Sequence, residues 1–420
     1  MKPSDRPGLR HLKASDLRAG VQLATQATTG IIGITEGVHQ AVLRSAGGRA
    51  ATQPGRTSGV TGLVYRSVRA TTHWVGRGLD RLLETLLPFI ESSQSDTAER
   101  EAVLSALNGV LGDHLVATGN ALALPMQLRH AGVPLPLSQS ATELAMPAAA
   151  LPHVVILIHG LCMNDRQWSF AGHDHGAFLA ESLGATPLYL RYNSGLHVSD
   201  NGAQLAEMLE HLVAQWPVDL QTITLVGHSM GGLLARSAHH TATHAGHLWP
   251  ARLRHMVFLG SPHHGAPLER AGSWVDEVLG HMPLVSRFTA PFAKVGQVRS
   301  AGITDLRYGH LLDSDWQGRE KYRRACDTRT SVPLPDGVKC FAVAATLAGR
   351  RSLLAERLTG DGLVPLNSAL GIHGDPRRKL AFPRSHQLVV HGAGHLELLG
   401  SRAVAQQMAA WLLAGDATAT

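Results

Sequence analysis

Long apolar runs are missing from this 420-residue chain, which nowhere strings together 18 or more apolar residues. A helix needs about that many to cross the hydrocarbon core of a bilayer, so no membrane-spanning segment is expected. The start, MKPSDRPGLRHLKASDLRAG, is polar and mixed in charge. It lacks the apolar stretch and small-residue cleavage site of an export signal, and the expected compartment is the cytoplasm. Cysteine is scarce as well. Cys162, Cys326 and Cys340 form neither a CxxC pair nor a metal-ligand spacing, which argues against a zinc ribbon and a dithiol redox site. Buried thiols are the usual fate of such residues; the alternative, a Cys326–Cys340 disulfide, requires an oxidising compartment. Charged residues make up only 17% of the chain, with a formal net charge of +6. The Arg and Lys residues are scattered, with no basic stripe interleaved with aromatics, so a nucleic-acid partner is not expected. A mildly cationic surface suits anionic lipid or an acidic polymer equally well. The hydrophobic fraction, 44%, is that of a folded protein and argues against bulk disorder.

Residues 14–45 place Leu17, Val21, Leu23, Ile31, Ile32, Ile34, Val38 and Val42 at roughly helical spacing, and SAGGRAATQPGRTSG then breaks any regular element. A second helical stretch over 61–91 carries apolar residues and arginines that can occupy opposite faces. Such a helix suits packing against a neighbouring domain, the commoner outcome, or attachment to a membrane or polymer surface. A further helix is predicted over 98–116, and ALALPMQLRHAGVPLPL reads as a hairpin around His130, Ala131 and Gly132 that opens a sheet. From residue 153 the chain alternates strand, loop and helix. HVVILIHG, PLYLRYN, QTITLVGHS and ARLRHMVFLGS are apolar strands, with a helix over 201–215 between the second and third. Their apolarity is nearly continuous, as in parallel strands covered on both faces. The expected fold is α/β. Residues 262–335 form a Trp- and Arg-containing insertion, VKCFAVAAT resumes the strands, and 401–413 reads as a final helix. The expected division is an N-terminal helical region, 1–100, and a domain over 101–415 that contains the insertion.

GHSMGG at 227–232 fits G-x-S-x-G. The bare pattern is weak, because small residues cluster at many inert turns. Its position between an apolar strand and a helical run makes it specific, since that sharp turn exposes a serine hydroxyl beside a helix N-terminus. Close approach of strand and helix leaves little room for side chains at Gly227 and Gly231. No Walker lysine or dinucleotide GxGxxG is present, and no cofactor is expected. A serine hydroxyl is a weak nucleophile and needs a base and an orienting acid. His395, in HGAGHLELLG before the last helix, is the first choice for the base, with His391 as its rival; most of the 25 histidines are expected to be structural. Asp361, in the Gly-flanked loop TGDGLVP, is the first choice for the acid, with Glu356 in helical sequence as the alternative. Oxyanion donors must be main-chain N–H groups near the serine: Met230 directly after it, and Leu161 in the loop after HVVILIHG, with Cys162 as its neighbour.

Together, HG at 159–160, GHSMGG, GSPHHGAPLER at 260–270, DGLVP at 361–365 and GAGHLELL at 392–399 resemble the serine esterases and lipases of the α/β-hydrolase superfamily. They are most similar to the group related to the GPI inositol-deacylase and bacterial triacylglycerol lipases. The resemblance covers about residues 150–415. It implies an α/β-hydrolase fold with a mostly parallel sheet flanked by helices and a cap within 262–335, to which the helical N-terminal extension read from the spacing above is added. It also implies Ser229 as nucleophile, Asp361 as acid, His395 as base and Leu161 as an oxyanion donor, while His263 and His264 take no triad role and are either local structure or substrate rim. In the insertion, Trp274, Val275, Val278, Leu279, Met282, Leu284, Val285, Phe288 and Phe292 can line an acyl channel or form the cap's own small core. The expected substrate is a small-molecule or lipid ester, because Arg166 is the sole cation in the oxyanion-side loop and no anion-binding cluster is evident. Hydrolysis is weighed against acyl transfer or intracellular polyester depolymerisation with the same triad, and against a non-catalytic lipid-binding scaffold. His239, His240, His244 and His247, with His173 and His175 around Asp174, could suggest a metal, but surface histidines on a helix are common and no ligand set closes, so none is expected.

Overall fold

In the computed structural model, the described residues are 98–137, 146–147, 149–266, 300–318, 329–349 and 360–416. The helices expected within 1–91, Cys326, Glu356 and the cap residues Trp274 to Phe292 lie outside them. The chain divides into two compact units. In the first, the described residues are 98–100 and 115–123, where the turn after the opening helix is held by Asn120 accepting from the Leu122 amide at 2.9 Å. The second unit, 101–114 with 124–420, carries the sheet.

That sheet has eight strands in the order β10-β9-β8-β7-β3-β6-β1-β2. The strands are β1 (Gln127–His130), β2 (Val133–Pro134), β3 (His153–Ile158), β6 (Thr186–Arg191), β7 (Thr222–His228), β8 (Leu253–Leu259), β9 (Lys339–Thr346) and β10 (Gln387–His391). β4 (Ser169–Phe170) and β5 (His173–Asp174) form a separate small hairpin. Strands β3 and β6 to β10 run parallel, whereas β1 runs antiparallel to β6 and to β2, which forms one edge of the sheet. Residues Ile156, Leu157 and Ile158 of β3, Val226 of β7 and Phe258 and Leu259 of β8 are fully buried. This is why those strands read as unbroken apolar runs instead of alternating. The hairpin around His130 to Gly132 is present, with Ala131 and Gly132 both at positive φ. The fold is therefore the expected α/β-hydrolase architecture.

Helices follow the strands: α1 (Ala98–Ala117), α2 (His175–Leu183), α3 (Val198–Gln215), α4 (Met230–Ala245), α5 (Ala301–Tyr308), α6 (Leu366–Ala369), α7 (Glu397–Gly400) and α8 (Arg402–Asp416). Several boundaries differ from the sequence reading. His159 and Gly160 leave β3 to begin its loop, Ala251 and Arg252 belong to a 3₁₀ turn before β8, and α3 starts at Val198. Several elements escape the sequence reading, strand β10 and helix α2 among them. Strand β10 is half-buried along its whole length, so it lacks the apolar run that marks its neighbours. Helix α2 is capped by Asp174, whose side chain accepts from the Ala177 amide at 2.9 Å, in a stretch where histidines dominate the composition. Among the described residues, no helix is long and apolar enough to cross a membrane.

Candidate active site

Ser229 sits between β7 and α4 with φ 55° and ψ −121°, a backbone region that L residues rarely adopt and that stores strain. Its amide donates to the Leu259 carbonyl at 2.8 Å, which ties the turn to the end of β8. The two glycines expected to lack room do lack it. A Cβ on Gly227 would stand 2.5 Å from the Gly232 nitrogen, and one on Gly231 would strike the Ile158 and His159 carbonyl oxygens. The strand, the helix and the loop after β3 thus meet at main-chain contact distance. Ser229 is fully buried, and its Oγ makes no hydrogen bond among the described residues.

His395 lies in the loop before α7, and its Nδ1 donates to Asp361 Oδ2 at 2.6 Å. The other carboxylate oxygen of Asp361 accepts from the amides of Leu363 at 3.0 Å and Val364 at 2.7 Å. Both oxygens are committed, and the carboxylate is fixed in orientation. The turn DGLVP supplies this geometry: Gly362 has φ 98°, which lets the chain fold its following amides back onto Asp361. The imidazole lies near the serine turn, its ring centroid 4.7 Å from that of His228, the residue before Ser229. A Cβ on Gly260, which follows Leu259, would stand 3.0 Å from His395 Cε1. His391, the rival base, ends β10 opposite Thr346 in the ladder.

The loop after β3 completes the site. A Cβ on Gly160 would be 3.0 Å from Ser229 Cβ, so Leu161 follows directly on the residue that touches the serine. Cys162 is held at φ 61° and its amide donates to Ser194 Oγ at 3.0 Å. That amide is committed to the protein, whereas Leu161 and Met230 flank the serine from the loop and from the first residue of α4. Burial pushes the Cys162 thiol up to about 12, so it stays protonated. Cys340 is likewise buried and free, with its thiol pushed up to about 12 by burial.

A buried ion network braces this loop from behind. Arg191 on β6 donates to Glu101 of α1 at 2.7 Å and also to Asp165; Arg129 on β1 lies 3.2 Å from Asp165, and Arg166 pairs with Glu101. Burial pushes Glu101 up, but the Arg191 hydrogen bond and the charges of Arg191, Arg166 and Arg129 outweigh it, leaving Glu101 below its ordinary value. Arg166 therefore belongs to this network.

Of the other histidines singled out in the sequence, His263 is core. It is 2% exposed, packs beside Phe258 and Phe382, and its Nδ1 accepts from buried Arg236 at 3.3 Å. Burial, then the Arg236 charge, keeps His263 well below its usual range. His264 is half-buried beside His373 and donates its amide to Ser368 Oγ at 3.0 Å. His240 and His244 meet at a tilt on α4, their ring centroids 4.0 Å apart, and His247 lies 3.4 Å from Glu207. Among the described residues, no three His, Cys, Asp or Glu side chains converge as a metal site would require.

The sheet order, the strained serine turn and the flanking helices give this chain the α/β-hydrolase fold. Within that class, residues 152–331, less than half of the chain, match the family model of the PGAP1-like alpha/beta domain. No curated protein matches significantly. Solved structures that resemble the chain include a Bacillus licheniformis lipase, BlEst2, in its mature form, at 22% identity over 60% of this chain and 88% of that one, TM-score 0.35. A Pyrococcus furiosus esterase shares 15% identity over 63% and 81% of the two chains, TM-score 0.35. An Aspergillus fumigatus lipase B shares 13% over 64% and 57%, TM-score 0.35.

Proposed function

We propose that this protein is a serine hydrolase of carboxylic esters. Ser229 is the nucleophile, His395 the general base and Asp361 the acid that orients it, with Leu161 and Met230 as oxyanion donors. The observation that carries the reading is the 2.6 Å bond from His395 Nδ1 to a carboxylate whose other oxygen is held by two amides. That bond fixes the tautomer, leaving Nε2 to accept a proton, on a ring whose centroid is 4.7 Å from that of His228, the residue before Ser229. Ser229 Oγ attacks the ester carbonyl carbon as His395 Nε2 takes its proton, and the negative charge that develops on the carbonyl oxygen falls to the two amides. Collapse breaks the bond to the alkoxide, which leaves with the proton from His395. Water then attacks the acyl-serine, with His395 as base again, releasing the acid and restoring the serine. The commitment of the Cys162 amide to Ser194 supports Leu161 as the loop donor.

Ser229→Ala is expected to abolish hydrolysis of a p-nitrophenyl acyl ester and labelling by a fluorophosphonate probe while leaving the thermal unfolding temperature nearly unchanged. Near-normal turnover in the variant would overturn the assignment. A chain-length series from acetate to long acyl esters defines the acyl group that the site prefers.

A further inference from the structure

Two histidines with no part in that mechanism grip the segment that carries the base. His228, the last residue of β7 and the neighbour of Ser229, has Nε2 3.3 Å from the main-chain oxygen of His395. His175, the first residue of α2, has Nε2 2.8 Å from the main-chain oxygen of Leu398. A carbonyl oxygen can only accept, so each Nε2 carries the proton. The His175 tautomer fixes its neighbour in turn: His175 Nδ1 must accept, so His173 Nε2, 3.0 Å away, donates to it. Both His228 and His175 are fully buried, and burial holds both well below the ordinary imidazole range. They are therefore neutral donors at physiological pH.

Trp168, 1% exposed, stands between them. Its ring meets His175 edge-on at 6.3 Å and His228 at 6.4 Å. It ends the short 3₁₀ turn of the loop after β3, so the loop that carries Leu161, the strand that carries Ser229 and the segment that carries His395 all converge on one cluster. The β4–β5 hairpin closes the same cluster. A Cβ on Gly400 would stand 3.0 Å from Phe170 Cδ1, so the end of α7 has no space to drift toward it.

We infer that His228 and His175 are positioning residues: each donates its Nε2–H to one main-chain carbonyl of the segment 395–398, and Trp168 between them sets their spacing. The side chain of His395 is oriented by Asp361, but its backbone is fixed in register with Ser229 by these two donors. Chemistry of this kind is sensitive to small displacements of the base, because a shift of about 1 Å costs on the order of a hundredfold in rate. The inference rests on the hydrolase reading for its kinetic consequence alone; the anchoring itself is independent of turnover.

The test uses the full chain and compares alanine, glutamine and asparagine at each position. Glutamine places an amide nitrogen within reach of the Nε2 position and asparagine does not. His228→Ala and His175→Ala are expected to lower kcat roughly 10- to 100-fold with KM within about twofold, and to speed amide hydrogen exchange in the peptide spanning 393–400. Glutamine is expected to restore both and asparagine neither. Unchanged exchange in the alanine variants, or glutamine no better than asparagine, overturns the inference. If an alanine variant does not fold, the glutamine and asparagine pair decides alone. Absence of hydrolysis and probe labelling in the wild-type protein would sink the hydrolase reading, while the exchange measurement would still decide the anchor.

Discussion

Ser229 is held by contacts that allow almost no change around it. A methyl group on Gly231 would meet two backbone carbonyl oxygens, those of Ile158 and His159, and neither can move without shifting β3 or its loop. Gly231→Ala is therefore expected to destabilise the fold by about 1–3 kcal/mol in urea unfolding, and to lower esterase activity as the loop with Leu161 is pushed off the serine. Gly184→Ala is the control. Gly184 ends α2 at φ 61° with open space around its α-carbon, so the cost of about 1–2 kcal/mol should come without loss of activity. Leu161→Ala keeps the main-chain amide and is expected to reduce the rate far less than Ser229→Ala. These residues were legible in the sequence because the chemistry dictates both their type and their order: a serine in a glycine-tight turn, then an acid, then a histidine. Arg236, Ser194, Trp168 and the anchoring role of His228 were not. Their partners lie far away in sequence, and nothing local to GHSMGG says that its histidine reaches the main chain of residue 395.

Strands were readable where both faces are covered and unreadable where burial is partial. β3, β7, β8 and β9 announce themselves as apolar runs, whereas β10 alternates nothing and buries nothing fully. Helix α1 was readable as a helix but not as a brace. Its Glu101 is 4% exposed and bridges Arg191 and Arg166, residues that follow it by tens of positions. Removing the carboxylate leaves Arg191 in the interior with Asp165 as its remaining anionic partner in the network, which Arg129 already shares. Breaking a buried pair from one side is costly because the charge left behind is neither solvated nor matched. Glu101→Gln is thus expected to destabilise the protein by about 3 kcal/mol in urea or thermal unfolding. It should also impair hydrolysis, since Asp165 and Arg166 belong to the loop after β3. A loss below about 0.5 kcal/mol would mean that the network contributes no more than a surface pair.

At the scale of the whole molecule, the buried histidines set a limit on acid stability. Burial lowers His159 and His175 from 6.5 to about 4, and holds His228 and His263 well below 6.5. Between pH 6.5 and pH 4 the unfolded chain binds a proton at each of these positions and the folded chain does not. Stability therefore rises with pH across that window and is lost as pH falls through it. His159 and His175 each remove about 1.4 kcal/mol per pH unit inside the window, on the order of 3 kcal/mol over its full width. Two such groups remove a large share of the 5–15 kcal/mol typical of a folded domain, so cooperative acid unfolding is expected between pH 6.5 and 4, followed by far-UV circular dichroism and by the fluorescence of buried Trp168 and Trp249. The share of His175 is separable. His175→Gln keeps a donor for the Leu398 carbonyl and has no titration, so urea unfolding at pH 6.5 and at pH 5 should show a smaller drop in stability than in the wild-type protein. The expected difference is on the order of 1–2 kcal/mol between those two pH values. An equal drop in the two proteins would show that His175 gains no proton on unfolding, and would leave the acid limit to the other buried histidines and to the carboxylates.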